Sequence, residues 1–285
     1  MQETHRTETG NFSEKLFQRG TFSSDWHGRP GVLLLHGFTS SLDAVNGLIP
    51  TLDALGLPWE MPVLRGHNAT PDALVGVRRT DWYRDAVAGY EKLSQRADHI
   101  VVVGLSMGGL VALNLCARAE GGSLDIVDAS VRGKYPAPAP MPATLCGCVL
   151  WAPALGFCNP LAWLVKPLSL FVRNWPGQDS FHDPECRKNN HNYKTFPTKA
   201  FGELYDYARE TAQILPRVRV PLCIIHSQRD QVVPYAKSQN LYETAGSAYC
   251  ELHALLRSGH ELGQDMERET VFALTGNFLK RFMEE

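Results

Sequence analysis

The chain has 285 residues, 44% of them hydrophobic and 20% charged, and its 28 basic and 30 acidic side chains leave a net charge of −2. That length can bury a large core, and the balanced charge offers no general attraction to nucleic acid or to acidic membranes. The opening Met1-Gln2-Glu3-Thr4-His5-Arg6-Thr7-Glu8 is polar with no apolar run behind it, so no secretory signal is read in the chain as given, and a cytoplasmic protein is expected unless processing has removed a leader. The seven cysteines are an odd count, and Cys116, Cys148 and Cys223 sit in apolar patterns where thiols act as small hydrophobes. Reduced thiols are therefore expected. Cys146-Gly147-Cys148 lacks the spacing of a zinc pair.

The first strongly apolar run, Gly31-Val32-Leu33-Leu34-Leu35, reads as a strand of a parallel sheet covered on both faces. It exits through His36-Gly37-Phe38-Thr39, and His36 reads as a residue that shapes this loop rather than as a base. Leu42 to Leu55 has helical spacing and ends at Gly56, a C-cap signal. Trp59 to Leu64 reads as a short strand followed by the loop Arg65-Gly66-His67-Asn68-Ala69-Thr70-Pro71, with His67 again shaping the loop. A helix from Thr80 to about Ala97 places Trp82, Val87, Tyr90 and Leu93 on its inner face.

His99-Ile100-Val101-Val102-Val103 then reads as a buried strand, and the proline-free apolar run after Gly109 as a buried helix. Ser106 falls on the turn between them, within Gly104-Leu105-Ser106-Met107-Gly108. A serine raised above a sheet edge needs a turn so tight that strand and helix nearly touch two residues to either side. Gly104 and Gly108 meet that need, which makes the stretch a nucleophile elbow. The loop after Leu35 should lie beside it, so the backbone N–H groups of Phe38 and Met107 form a two-donor oxyanion hole.

Leu35-His36-Gly37-Phe38-Thr39, Arg65-Gly66-His67 and Gly104-Leu105-Ser106-Met107-Gly108-Gly109 resemble the α/β-hydrolase superfamily, in particular its bacterial carboxylesterase and monoacylglycerol lipase branch. The resemblance implies an α/β-hydrolase fold, a mostly parallel central sheet flanked by helices and carrying an inserted cap. On that division residues 1–152 and 216–285 form the core and 153–215 the cap.

Glu120 to Thr144 is rich in Gly, Ala and Pro, and its alternating prolines read as an extended surface loop, an elaboration on the family pattern. The sheet resumes at Leu145 to Trp151. Pro153 to Leu215 breaks the alternation of strand and helix and is studded with aromatics. Leu161 to Val165 and Leu168 to Val172 are apolar, but Lys166 and Pro167 interrupt them, so a stable membrane span is not expected. Trp163, Leu164 and Phe171 are the candidates to line an acyl pocket. His182, Glu185, Cys186 and His191 have metal-capable atoms in no recognised spacing, and neither a metal nor a cofactor is expected.

Val220 to His226 reads as a strand feeding the polar loop Ser227-Gln228-Arg229-Asp230, where an acid belongs in a sheet enzyme whose site lies at the strands' carboxyl ends. Tyr249 to Leu255 is the next strand. Its loop supplies His260, with Gly259 before it giving freedom to turn toward the serine, while His253 reads as a packed side chain within the strand. The order Ser106, Asp230, His260 is that of the α/β-hydrolase triad, with serine as nucleophile, histidine as base and aspartate as its orienting acid.

The expected partner is a small-molecule ester of a short to medium acyl chain or a monoacylglycerol, hydrolysed through an acyl-enzyme on Ser106. The same triad could serve a thioester, a lactone or a carbon–carbon bond, and a ligand-binding protein could keep the fold without the chemistry. Oligomeric state is not legible in the sequence.

Overall fold

In a computed structural model of the protein, residues 15–23, 26, 28–119 and 144–283 are described. The proline-rich stretch through residue 143 and the polar amino terminus lie outside them.

Among the described residues the main sheet has seven strands. They are β1 (Lys15–Arg19), β2 (Gly31–Leu35), β3 (Trp59–Glu60), β4 (His99–Leu105), β5 (Thr144–Trp151), β8 (Leu222–Ser227) and β9 (Cys250–Leu255). The remaining two, β6 (Asn174–Pro176) and β7 (Thr195–Pro197), make a separate antiparallel pair. In the main sheet the order is β1-β9-β8-β5-β4-β2-β3, parallel throughout except where β1 runs antiparallel along β9.

The helices are α1 (Asp43–Asn46), α2 (Ile49–Leu55), α3 (Arg79–Ser94), α4 (Met107–Ala119), α5 (Val165–Leu168), α6 (Pro184–Asn189), α7 (Thr198–Ile214), α8 (Ala236–Thr244) and α9 (Arg268–Lys280). No described helix is long and apolar enough to cross a membrane.

The continuous apolar strands are explained by two covered faces. Leu33, Leu35, Ile100 and Val102 face α3, α4 and α7, whereas Val32, Leu34, Val101 and Val103 face α1, α2 and α9, each set alternating along its strand. These side chains are fully buried, each contributing about 1.5–3 kcal/mol of transfer free energy. From β2 the chain winds outward to β3 and then returns to β4 on the other side. The order therefore reverses between β2 and β4, the kind of switch point at whose carboxyl edge open α/β sheets bind their ligands.

Three expectations are corrected in detail. The helix over Leu42 to Leu55 is two helices, because Pro50 lacks the N–H that would continue the ladder; Gly56 does cap the second with φ +66°. The strand from Trp59 ends at Glu60, since Pro62 cannot donate along an edge strand. On α3, Val87 is half-buried and the inner face is Trp82, Tyr83, Ala86, Tyr90 and Leu93.

Between β5 and β8, α5, α6 and the β6–β7 pair precede α7. That last helix packs on the core: Asn114 of α4 donates to Thr211 Oγ1 at 2.8 Å, and the Arg79 guanidinium of α3 meets Glu203 at 2.6 Å and Glu210 at 2.9 Å.

Candidate active site

Ser106 sits between β4 and α4 with φ +54°, a left-handed conformation uncommon outside glycine. Neighbouring strands hold it there. Its N–H donates to the Trp151 carbonyl at 2.9 Å, and its own carbonyl accepts from Ala154 at 3.1 Å and from Gly109 at 3.0 Å. The two glycines are needed for close approach. A Cβ on Gly104 would overlap the Gly108 carbonyl and reach Gly109 N at 2.7 Å, and one on Gly108 would overlap the Leu35 carbonyl, with its carbon at 2.6 Å. All of those neighbours are backbone, which cannot swing aside. Gly108→Ala is therefore expected to cost about 2–3 kcal/mol and to lower the thermal midpoint by roughly 4–10 °C. An unchanged midpoint in a thermal melt would contradict this account of the elbow.

The loop after β2 abuts the serine, since a Cβ on Gly37 would stand 3.4 Å from Ser106 Cβ and 3.0 Å from Ser40 Oγ. Phe38, next in the chain, packs its ring edge-on to Phe196 and Trp82. Met107 is the first residue of α4, where helix N–H groups have no acceptor within the helix.

His36 is fully buried. Its Nδ1 lies 2.9 Å from the Gly37 carbonyl, and its Nε2 accepts from the Leu64 N–H at 3.0 Å. Burial pushes its pKa down to about 4, so the neutral ring staples the loops after β2 and β3. His67 is likewise buried, with Nδ1 3.0 Å from the Leu64 carbonyl and 3.1 Å from that of Arg65. Burial, with His36 nearby, takes it to about 3.

Asp230 and His260 are joined directly, His260 Nδ1 donating to Asp230 Oδ2 at 2.7 Å. The other carboxylate oxygen, Oδ1, accepts from the N–H groups of Val232 at 2.8 Å and Val233 at 2.9 Å. Burial alone would raise the Asp230 carboxyl. The charge and hydrogen bonds of His260 and His226 outweigh it and hold the group well below the usual carboxylate range. His260 is raised: burial opposes its charged form, but Asp230 overrides that. Gly259 does not have the positive φ that the idea of turning freedom suggests. It is small because a Cβ there would stand 2.6 Å from the Ser180 carbonyl. A direct hydrogen bond joins Asp230 to His260, and Ser106 stands at the same carboxyl edge of the sheet, two strands from β8.

Three residues here escape sequence reasoning. His226, at the end of β8, places Nε2 2.9 Å from Asp230 Oδ2. Glu261 is buried beside His260 and accepts from Ser40 at 3.2 Å and Asn192 at 2.8 Å. Asp265 accepts from the N–H groups of Gly259, His182 and Asp183, tying the histidine loop to the segment before α6. None of the three carries a local sequence signal, since each is defined by partners brought to it from other parts of the fold.

The residues expected to line an acyl pocket are placed outward. Phe171 is 87% and Trp163 66% exposed, and Leu164 is half-buried. Trp163 borders a surface cavity of about 340 Å³ with Leu155, Phe157 and Tyr205. His182, Glu185, Cys186 and His191 each turn to a separate partner: the Arg229 carbonyl, Lys188, the Gln264 carbonyl and Asp43. Among the described residues one close trio has metal-capable atoms, Cys223, Glu251 and His253, all buried. Glu251 already faces Arg281 at 3.0 Å and His253 at 3.2 Å, which accounts for it as an ion-pair network.

A family model described as serine aminopeptidase, S33, matches residues 27–267. A carboxylesterase of Bacillus subtilis (strain 168) is 24% identical over 255 residues, 89% of this chain and 94% of that protein. A thermostable monoacylglycerol lipase of Bacillus sp. (strain H-257) is 25% identical over 257 residues, 90% and 92% of the two chains. Among solved structures, one from the metagenome-derived lipolytic enzymes LipS and LipT superposes with a TM-score of 0.76 at 25% identity, covering 94% of this chain and 97% of the other. A soluble variant of the Saccharomyces cerevisiae monoglyceride lipase gives 0.72 at 14% identity over 99% and 96% of the chains, a likeness of fold.

Proposed function

The chain belongs to the serine aminopeptidase S33 family, within the α/β hydrolases, and from that premise we propose that it is a serine carboxylesterase acting on short to medium acyl esters or monoacylglycerols. The observation that carries the reading is the buried Asp230–His260 pair, 2.7 Å apart, at the sheet edge where Ser106 is held on a strained turn. His260 Nε2 takes the Ser106 proton as Oγ attacks the ester carbonyl. Asp230 holds the imidazole in the tautomer that leaves Nε2 free and stabilises the imidazolium. The N–H groups of Phe38 and Met107 receive the oxyanion. His260 then returns the proton to the leaving alcohol, and water, activated by the same imidazole, releases the acid from the acyl-enzyme. The chemistry needs no cofactor.

Residues 153–215 are read as a cap on this site. Support comes from three bonds that lay the segment across the catalytic loops: His260 N–H to the Ser180 carbonyl at 2.8 Å, Tyr193 N–H to the Thr39 carbonyl at 3.0 Å, and Asn192 to Glu261. Its apolar side chains favour an apolar acyl group over an acidic one. Of the pocket candidates, Trp163, at the rim of the surface cavity, is better placed than Phe171.

A base raised above the ordinary histidine value is protonated, and idle, below it. The acid limb of kcat/KM is expected to have a midpoint above about 6.5, with activity lost as the pH falls through it. Asp230 stays ionised throughout that range, so a second acidic limb between pH 4 and 6 would contradict the assignment. Substrate class is tested with p-nitrophenyl esters from acetate to palmitate and a monoacylglycerol. The expected result is a maximum at short to medium chains, and no turnover across the series would overturn the esterase reading.

A further inference from the structure

His226 has no part in the three-residue mechanism, yet its ring touches the Asp230 carboxylate directly. It is the penultimate residue of β8 and has no exposed surface, and it shares Asp230 Oδ2 with His260: the two ring nitrogens stand 2.9 Å and 2.7 Å from one oxygen. An ionised carboxylate only accepts, so His226 Nε2 carries the proton of that bond. Behind it, Nδ1 lies 2.7 Å from Oγ of Ser238 on α8, a hydroxyl that is also fully buried. In the neutral ring Nδ1 is the acceptor, so Ser238 O–H donates to it and fixes the tautomer in which Nε2–H points at the acid.

With Val232 and Val233 on Oδ1, Asp230 receives four hydrogen bonds, two on each oxygen, and none of its lone-pair sites is left to swing toward. We propose that His226 is a positioning residue for the reaction: through Nε2–H, set by Ser238, it holds the Asp230 carboxylate in the rotamer that His260 requires and withdraws part of the charge that His260 feels. This rests on Ser106, Asp230 and His260 acting as the triad.

The two roles have separate consequences. Without the donor, Asp230 keeps more of its charge for His260 and favours the imidazolium, so the base becomes harder to deprotonate. A freed Oδ2 also lets the carboxylate rotate, which misorients His260 in the transition state more than it weakens substrate binding. Several other groups face this corner. Glu261 follows His260, the Cys158 thiol lies 3.9 Å from the Asp230 carbonyl oxygen, and the Tyr235 ring, at the start of α8, is 5.7 Å from that of His226. A comparison of two amides at position 226 leaves all of them in place.

The experiment compares His226→Gln with His226→Asn. The glutamine amide nitrogen can occupy the place of Nε2 and donate to Asp230, whereas the asparagine amide reaches only the place of Nδ1. Both are measured for kcat, KM and the pH profile on a p-nitrophenyl ester, with rates normalised to the sites titrated by a serine-directed phosphonate. His226→Gln is expected within about threefold of the parent, and His226→Asn to lose roughly 10- to 100-fold in kcat with KM little changed. The acid limb of His226→Asn should move up by about half a pH unit or more, with that of the glutamine variant unmoved. Equal normalised rates and equal limbs in the two variants, whether both match the parent or both fall, would overturn the proposal. If the parent itself fails to take up the phosphonate, the triad reading fails first, an outcome separate from either of these.

Discussion

Ser106→Ala is expected to lower ester turnover by 10³ to 10⁶ while leaving the thermal midpoint within a degree or two of the parent. The large effect follows from the absence of any other nucleophile in the proposed mechanism: the alanine variant retains the oxyanion donors and the base but has nothing to acylate. The small effect on stability follows from local geometry. Position 106 carries its strain in a φ of +54°, and alanine keeps the same Cβ and the same backbone bonds to Trp151, Ala154 and Gly109. Hydrolysis of a p-nitrophenyl ester beside a thermal melt reads both. Turnover persisting at a tenth of the parent rate would mean that another residue is acylated.

Asp230→Asn is expected to cost about 10⁴ in kcat, the scale of an acid-to-amide change in a Ser-His-Asp triad. Loss of charge is only part of the reason. The N–H groups of Val232 and Val233 both point at Oδ1, so they claim the amide oxygen and leave the amide NH₂ facing His260 and His226. An N–H donor opposite His260 Nδ1 demands that this nitrogen accept, which moves the ring proton to Nε2. In that tautomer the imidazole cannot take the Ser106 proton. A rate near that of the parent would place the acid elsewhere, and a pH profile without change would say the same.

What could be read from the sequence was whatever local sterics and apolar runs impose. The elbow shows itself because a strained serine needs Gly104 and Gly108 at fixed offsets, and the closeness of the Leu35 backbone to Gly108 shows how little room that offset leaves. Buried parallel strands are legible for a similar reason: with both faces covered, Val32 to Leu35 and Ile100 to Val103 have no polar alternation to obscure them. Boundaries were less legible, since Pro50 and Pro62 each interrupt a pattern whose apolar spacing continues past them. His36 could be read as a loop staple, though its partner, the Leu64 N–H 28 residues away, could not.

The features that were not legible depend on tertiary placement. Nothing in Ile225-His226-Ser227 distinguishes a buried strand histidine from one whose ring meets the acid four residues on, and Ser238 becomes relevant only when α8 packs behind it. The apolar run through Trp163 and Phe171 reads as pocket lining because apolar side chains normally seek cover. Trp163, in the single turn Ala162–Leu164, and Phe171, just past the end of α5, lie on the outer surface instead. Gly259 illustrates the reverse case, a small residue whose reason is a neighbouring carbonyl rather than its own backbone angles.

The central claim, that Ser106 is a nucleophile activated by His260 and Asp230, is tested most directly by titration with a serine-directed fluorophosphonate followed by peptide mass mapping. The expected result is time-dependent uptake approaching one equivalent per chain, with the adduct on Ser106, slowed at least 100-fold in Asp230→Asn. An adduct on any other residue, or ester hydrolysis that continues undiminished while Ser106 stays unlabelled, would contradict it.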